Sequence, residues 1–284
     1  MRWQGGRQSS NVSDAGGGGG GFGGRGLAIG GIGGIGGLIL VIIVALLGGD
    51  PSRFFSQNGG GGGGSYDPND PVYKEQHEFI ATILGSTEDV WNKELPRQAG
   101  VKYREPKLHP FRDEVKTGCG AADSGVGPFY CPADESIYID PSFFQELATK
   151  FKEKGDFARA YVIAHEVGHH VQNVLGYNER RVRGDDENMH SVRLELQADY
   201  LAGVWGHFAE EQRHWMDKGD LESAIHAAWE IGDDTLQTRF TGHKDPRKYT
   251  HGTSEQRMKW FKEGFKTGSV KGAEELFTTP YNQL

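Results

Sequence analysis

The run at residues 26–49 most constrains the fold, because it carries no charged side chain and ends in an unbroken apolar stretch, Leu38 to Leu47. Roughly 20 apolar residues are enough to cross the core of a bilayer. The sequence therefore predicts a transmembrane anchor at residues 26–48. A cleavable signal peptide is the alternative, but its apolar core is normally about 7–15 residues long and ends in a small-residue cleavage site that this run lacks.

The charges that flank the apolar run predict its orientation. Arg2, Arg7 and Arg25 precede it, whereas only Arg53 follows closely. Positive charge accumulates on the cytoplasmic side of a membrane segment. We therefore expect the N-terminus to be cytoplasmic and everything after residue 50 to lie outside the cytoplasm.

Glycine divides the N-terminal part of the chain from the rest, because 25 of the 44 glycines fall in the first 64 residues. Tracts such as Gly59–Gly64 are typical of flexible tethers. The sequence therefore predicts four parts, namely a glycine-rich cytoplasmic tail (1–25), the anchor (26–48), a glycine-rich linker (49–70) and one folded domain (71–284).

Two glycine patterns inside the predicted anchor were considered as functional motifs. Gly31–Gly36 matches the dinucleotide-binding spacing G-x-G-x-x-G, but it lacks the strand, turn and helix that such a site requires. Pairs four residues apart, such as Gly26/Gly30, allow membrane helices to approach closely, so an oligomer formed through this helix is an open alternative.

The charge balance excludes one class of partner. The formal net charge is −8, and the acidic excess lies after the apolar run. Affinity for nucleic acid depends on basic residues that neutralise phosphates. We therefore expect no nucleic-acid partner.

The chain has two cysteines, Cys119 and Cys131, in a segment that also contains glycine and proline. Outside the cytoplasm such a pair is typically a disulfide. Two cysteines alone do not form a zinc-ribbon site. The sequence therefore predicts a Cys119–Cys131 disulfide.

Hydrophobic periodicity predicts a helix-rich α+β domain with a small sheet. Between about residues 101 and 140 the segments are short and strand-like, and Ser136–Asp140 alternates most clearly. Four tryptophans that lie within helical patterns are expected in the core: Trp205, Trp215, Trp229 and Trp260. The predicted helices cover residues 72–84, 86–95, 141–153, 156–175, 187–210, 220–232 and 253–267.

The helix predicted at 156–175 contains a metal-binding pattern, His165-Glu166-x-x-His169. Residues four apart share one helix face, so both imidazoles can reach one Zn²⁺ ion. Glu166 lies beside that position and can act as a general base. A solvated helix face rich in histidine and glutamate is the plain alternative.

A third ligand is needed, because catalytic zinc keeps three protein ligands and one open position. Glu195 and Asp199 share a face of the helix predicted at 187–210, next to its apolar stripe. Two such carboxylates repel each other unless positive groups satisfy them. We expect Glu195 to bind the metal and Asp199 to accept a hydrogen bond from a ligand histidine; solvent exposure is the alternative.

These residues resemble a known arrangement. His165-Glu-x-x-His169 followed by Glu195 and Asp199 is similar to the gluzincin type of zinc metallopeptidase. The chain also resembles, over nearly its full length, the bacterial family named putative neutral zinc metallopeptidases. The resemblance implies a zincin-like peptidase anchored by one helix in the bacterial inner membrane, with its catalytic domain in the periplasm and a peptide or protein as substrate.

The resemblance also implies a mechanism, in which Glu166 deprotonates a zinc-bound water for attack on a peptide carbonyl. A further donor is needed for the oxyanion. His251 is the first candidate, with Tyr249 and His226 as alternatives. Arg257 is expected either to pair with a carboxylate of the site or to lie on a solvated helix.

Two further questions stay open at the level of sequence. The strand at Ser136–Asp140 is either a sheet edge that receives an extended peptide or a plain internal strand. The protein is an active peptidase, a zinc-stabilised binding or adaptor protein without turnover, or an anchored interaction module whose histidines bind nothing. The presence of Glu166 favours the enzyme, because a purely structural zinc site needs no unliganded carboxylate.

Overall fold

A computed structural model of the protein describes residues 1–14, 66–67, 69–124, 127–150 and 155–284. The predicted anchor, its glycine motifs and most of the predicted linker lie outside these residues. Among the residues that are described, no helix has the length and apolar character needed to cross a membrane.

The described part of the chain is a helix-rich α+β structure, as expected. The helices are α1 (Pro71–Ala99), α2 (Phe143–Lys150), α3 (Asp156–Leu175), α4 (Glu187–Arg213), α5 (Asp220–Glu230), α6 (Asp233–Thr241), α7 (Ser254–Thr267) and α8 (Glu275–Thr278). The strands are β1 (Lys107–Pro110), β2 (Glu114–Thr117), β3 (Gly120–Asp123), β4 (Phe129–Cys131) and β5 (Ser136–Ile139).

The first helix is one element, so the predicted break after residue 84 is wrong. Asp70 caps its start by accepting from the backbone N–H of Val72, and Gly100 ends it in a left-handed conformation. Thr87 lies mid-helix and donates its hydroxyl to the carbonyl of Leu84. Glycine at position 85 has a packing reason, because a Cβ there would lie 2.5 Å from the carbonyl oxygen of Arg7.

The strands form a three-stranded sheet and a separate hairpin. In the sheet, β5 lies between β1, to which it is parallel, and β4, to which it is antiparallel. The strand predicted at Ser136–Asp140 is therefore internal, and it is not the edge that would receive a peptide. Strands β2 and β3 pair with each other in antiparallel register.

The predicted disulfide is confirmed. Cys119, in the turn between β2 and β3, is bonded to Cys131 at the end of β4, and their Cα atoms are 5.8 Å apart. The bond therefore ties the hairpin to the three-stranded sheet.

Residues 1–14, which the sequence assigns to a separate tail, pack against the domain. The indole of Trp3 is 5% exposed and belongs to the main hydrophobic core. Its ring meets Phe79 of α1 edge to face, with centroids 5.2 Å apart. Val12 forms a parallel bridge with Leu108 of β1, on the side of β1 opposite β5.

Helix α3 runs through the core, with Ala160, Ala164, Val167 and Val171 buried. Of the four tryptophans expected in the core, Trp205, Trp215 and Trp260 are buried. The prediction for Trp229 is wrong, because its side chain is 39% exposed. Helix α5 packs against the core through small residues, Ala224, Ala227 and Ala228. Trp229 follows Ala228 and points about 100° away from it, so its side chain does not lie on the buried face.

Candidate metal centre

Helices α3 and α4 position the candidate metal ligands and approach each other closely. The contact is at Gly168, where a Cβ would lie 2.8 Å from the carbonyl oxygen of Ala198. Asp186 fixes the start of α4 by accepting from the backbone N–H of Met189. Because Gly168 adjoins His169 and Ala198 adjoins Asp199, this backbone contact sets the distance between the functional side chains of the two helices.

His165, His169 and Glu195 converge on one point. The Nε2 atom of His165 is 3.2 Å from Oε2 of Glu195, and the Nε2 atom of His169 is 3.4 Å from Oε1. One ligand atom from each residue lies within 4.8 Å of the other two, and all three residues are buried. Two imidazole nitrogens and one carboxylate are a donor set that zinc accepts, with a fourth position left for water or substrate.

Asp199 orients the first histidine. Its Oδ1 accepts a hydrogen bond of 2.9 Å from Nδ1 of His165. Because Nδ1 is engaged with Asp199, Nε2 is the nitrogen that faces the convergence point and is available to a metal ion. The structure thus brings Asp199 to the position expected from the sequence.

Gln172 plays the corresponding part for the second histidine. Its side-chain amide donates to the carbonyl of Leu194, which leaves Oε1 as an acceptor 2.8 Å from Nδ1 of His169. The sequence analysis did not identify Gln172. Its spacing of three residues from His169 on one helix face was the signal that could have found it.

Arg257 pairs with Asp199, which is one of the two alternatives that the sequence left open. The guanidinium donates from Nε to Oδ2 at 2.8 Å and from Nη2 to Oδ1 at 3.0 Å. The hydroxyl of Tyr161 also donates to Oδ1. Burial by itself would raise the pKa of Asp199, but the charge of Arg257 and then that of His165 keep the pKa below its usual value.

Glu166 is buried beside the convergence point, and its Oε2 has no hydrogen-bond partner among the described residues. Burial raises the pKa of this carboxyl, although the neighbouring histidines oppose the shift. A buried polar atom without a partner is rare in a folded protein and requires an explanation. A water or substrate group at the metal position would supply that partner, so the residues fit a catalytic zinc site.

The charges of the ligands favour a cation between them. Burial alone would raise the pKa of Glu195, but the charge of His169 and the hydrogen bonds from both histidines hold the pKa well below its usual value. Burial alone would lower the pKa of His165, but the charge of Asp199 and its hydrogen bond raise the pKa to about 10. A proton on the imidazole of His165 balances the charge of the buried carboxylates, as a bound metal cation would.

His251 is held near this site by Asp233, a residue that the sequence analysis did not identify. Asp233 Oδ2 accepts from the backbone N–H groups of Thr250, His251 and Gly252, at 2.7, 2.7 and 3.1 Å. Its Oδ1 is 3.1 Å from Nδ1 of His251. Burial lowers the pKa of His251, but the charge of Asp233, its hydrogen bond and then Glu195 give a net increase.

The two alternative oxyanion donors are placed differently. His226 is exposed on α5, where its Nε2 is 3.8 Å from a carboxylate oxygen of Glu230. Tyr249 is buried, and burial followed by Asp234 and Asp233 raises its pKa to about 12. The charge of the ligand Glu195 contributes to the raised pKa of His251, which indicates that His251 lies near the ligands.

Comparison with known proteins gives a match over nearly the whole chain. The profile of the family described as "Putative neutral zinc metallopeptidase" matches residues 1–276. The chain is 45% identical to the uncharacterized protein YpfJ of Escherichia coli (strain K12), over 94% of this chain and 96% of the relative. It is 39% identical to an uncharacterized protein of Mycobacterium bovis, over 78% of this chain and 81% of the relative. No solved structure matches.

Proposed function

The chain belongs to the family described as "Putative neutral zinc metallopeptidase", and we propose that it is a zinc-dependent endopeptidase with a zincin-like fold, acting on peptides or proteins. One observation carries the proposal. The buried Oε2 of Glu166 has no partner among the described residues and lies beside three converging ligand side chains. A site that only stabilised the fold would have no use for such a carboxylate.

His165, His169 and Glu195 would hold the metal through two Nε2 atoms and one carboxylate. When bound, Zn²⁺ supplies a Lewis acid that polarises a carbonyl and brings the pKa of a water in its open position to about 7. Asp199 and Gln172 keep both imidazoles in the tautomer that binds through Nε2. Arg257 holds Asp199 in its ionised form.

Glu166 moves the proton. Its carboxylate takes a proton from the water that attacks the peptide carbonyl and passes it to the nitrogen of the leaving amine. The C–N bond breaks, and a carboxylate and an amine are released. Burial raises the pKa of Glu166, and a carboxylate with a raised pKa is a stronger base.

His251 supplies the hydrogen-bond donor for the oxyanion that forms when water adds to the carbonyl. Asp233 fixes the loop at residues 250–252 through three backbone hydrogen bonds and keeps the imidazole protonated to higher pH. A donor fixed in advance stabilises the transition state without reorganisation.

We further propose that the catalytic domain works outside the cytoplasm, in the bacterial periplasm, next to the inner membrane. Two features support this placement. The Cys119–Cys131 disulfide is typical of an oxidising compartment, and the uncharged run at residues 26–49 is long enough to enter a bilayer.

The proposal is tested with the full chain, purified with its metal, and a random peptide library read by mass spectrometry. We expect one zinc per chain and cleavage that Glu166→Gln removes while it leaves the zinc content unchanged. Glu222→Gln, on the exposed face of α5, is the matched control and should cleave like the wild type.

Two outcomes would contradict the proposal. Zinc bound at one equivalent with no cleavage that depends on Glu166 would favour the adaptor protein. If neither the wild-type chain nor His165→Ala binds metal, both the peptidase and the adaptor protein are excluded.

A further inference from the structure

The N-terminal segment, residues 1–14, is held by a site on α1 that fits it closely. The carboxylate of Glu88 is 2% exposed and accepts hydrogen bonds from three residues of the segment. Arg7 Nη2 donates at 2.8 Å, Ser9 Oγ at 2.5 Å and Asn11 Nδ2 at 2.8 Å. A buried carboxylate satisfied by one short stretch of chain indicates that this stretch is part of the fold.

Backbone contacts support the same conclusion independently. The N–H of Ser9 donates to the carbonyl of Ala81 at 2.9 Å, and the N–H of Ser13 donates to the carbonyl of Leu108 at 3.0 Å. The segment passes so close to α1 that residue 85 has no room for a Cβ. Trp3 completes the contact, because its indole N–H donates to Asp156 at the start of α3.

Residues 14 and 66, the described residues on either side of residues 15–65, lie against the same side chain, Tyr73. The hydroxyl of Tyr73 donates to the carboxylate of Asp14. On the other flank, the ring of Tyr66 stacks on the ring of Tyr73, with centroids 4.4 Å apart and planes 3° from parallel. Both flanks of residues 15–65 therefore meet at Tyr73.

A single membrane crossing would separate these flanks by the hydrocarbon core, which is about 30 Å thick. One tyrosine side chain cannot contact both flanks across that distance. The docked segment and a single crossing with a cytoplasmic N-terminus therefore exclude each other.

We infer that residues 1–14 and the described residues between 66 and 284 form one folded unit that lies on one side of the membrane. The surface of α1 around Gly85 and Glu88 is the docking site, and residues 2–13 of the same chain are its occupant. This inference does not depend on peptidase activity.

The docking is tested by hydrogen–deuterium exchange on the unmodified full chain. We expect the amides of Ser9 and Ser13 to exchange at least about tenfold more slowly than in a synthetic peptide of residues 1–14. Trp3→Ala should remove most of this protection, whereas Gln4→Ala, at an exposed position, should keep it. Exchange at the rate of the free peptide in the native chain would overturn the inference.

The shared compartment is tested with two single cysteine variants of the full chain in cells. Ser10→Cys lies in the segment and Lys93→Cys lies on α1, and both positions are exposed. The native cysteines are paired and do not react with a maleimide. A membrane-impermeant maleimide should label both variants before lysis or neither of them. Labelling of only one before lysis would place the segment and the domain in different compartments and overturn the inference.

Discussion

Arg257 and Asp199 form a two-point ion pair in the interior, and neither side chain is more than 3% exposed. Asp199 also accepts from Nδ1 of His165. Arg257 of α7 thereby acts on His165 of α3, a candidate metal ligand, through the carboxylate of Asp199 on α4. Arg257 is a positioning residue in this arrangement, because it contacts the ligand's partner and compensates its charge.

Replacing Arg257 by methionine should destabilise the protein strongly. The substitution leaves the buried charge of Asp199 uncompensated, and breaking a buried pair in this way costs about 3–5 kcal/mol. Denaturant unfolding of the metal-free protein measures the loss. Arg104→Ala, which breaks an exposed pair with Glu135, should change the free energy of unfolding by less than about 1 kcal/mol. Equal effects of the two substitutions would contradict the assigned role of Arg257.

Gln172→Leu should weaken zinc binding about 10–100-fold, because His169 Nδ1 loses the acceptor that fixes its tautomer. Competition with a zinc-binding dye measures the affinity. Gln172→Glu keeps an acceptor at the same position and should retain most of the affinity. If leucine binds zinc as tightly as the wild type, Gln172 does not orient the ligand.

His251→Ala should lower kcat about 10²–10³-fold with little change in zinc content, because an oxyanion donor is removed and no ligand is lost. His226→Ala is the matched histidine control and should leave kcat unchanged, since His226 is exposed on α5. Loss of zinc in His251→Ala would instead assign His251 to the metal.

The pH dependence of kcat/KM should depend on whether residue 233 carries a negative charge. Burial lowers the pKa of His251, but Asp233 outweighs burial and raises it, so the protonated donor persists above the usual pKa of histidine. Activity that needs this proton is present at lower pH and lost as pH rises through the raised pKa. Asp233→Asn removes the charge, and the alkaline limb of kcat/KM should move to lower pH. An alkaline limb at the wild-type position would exclude His251 as the titrating donor.

Replacing Cys119 and Cys131 together by serine should lower the free energy of unfolding by about 3 kcal/mol, the loss expected when a loop of this length is no longer closed in the unfolded chain. Zinc affinity should stay unchanged, because the disulfide joins β4 to the hairpin and none of the ligands lies there. Denaturant unfolding and dye competition measure the two quantities. A parallel loss of zinc would show that the hairpin supports the metal site.

Local pattern was sufficient to predict that His165, His169 and Glu195 lie together. Helix α3 begins and ends at the residues that its periodicity predicts, because Gly176 stops it and one apolar stripe runs along its whole length. His165 and His169 share one face of this helix because they are four residues apart. Glu195 lies on a second helix, α4, which was also predicted from its periodicity. Each of these signals lies within one turn or one element.

Contacts between distant parts of the chain could not be predicted in the same way. Gly85 looks like a helix break because its packing partner is the backbone of Arg7, far away in sequence. Asp233 is the first residue of helix α6, which was not predicted, and His251 follows that helix in the chain. The contact of Arg257 with Asp199 was one of two alternatives until the packing of α7 against α4 decided it.

The buried ionisable side chains at the ligands also have a defined net formal charge. Glu166, Glu195 and Asp199 carry three negative charges when ionised, and Arg257 carries one positive charge, which leaves a formal charge of −2 with both imidazoles neutral. An uncompensated charge is costly in a protein interior. A divalent ion makes this group neutral, whereas a monovalent or a trivalent ion leaves a net charge. We therefore expect the charge of these residues to favour a divalent ion, in addition to the preference set by the ligand atoms.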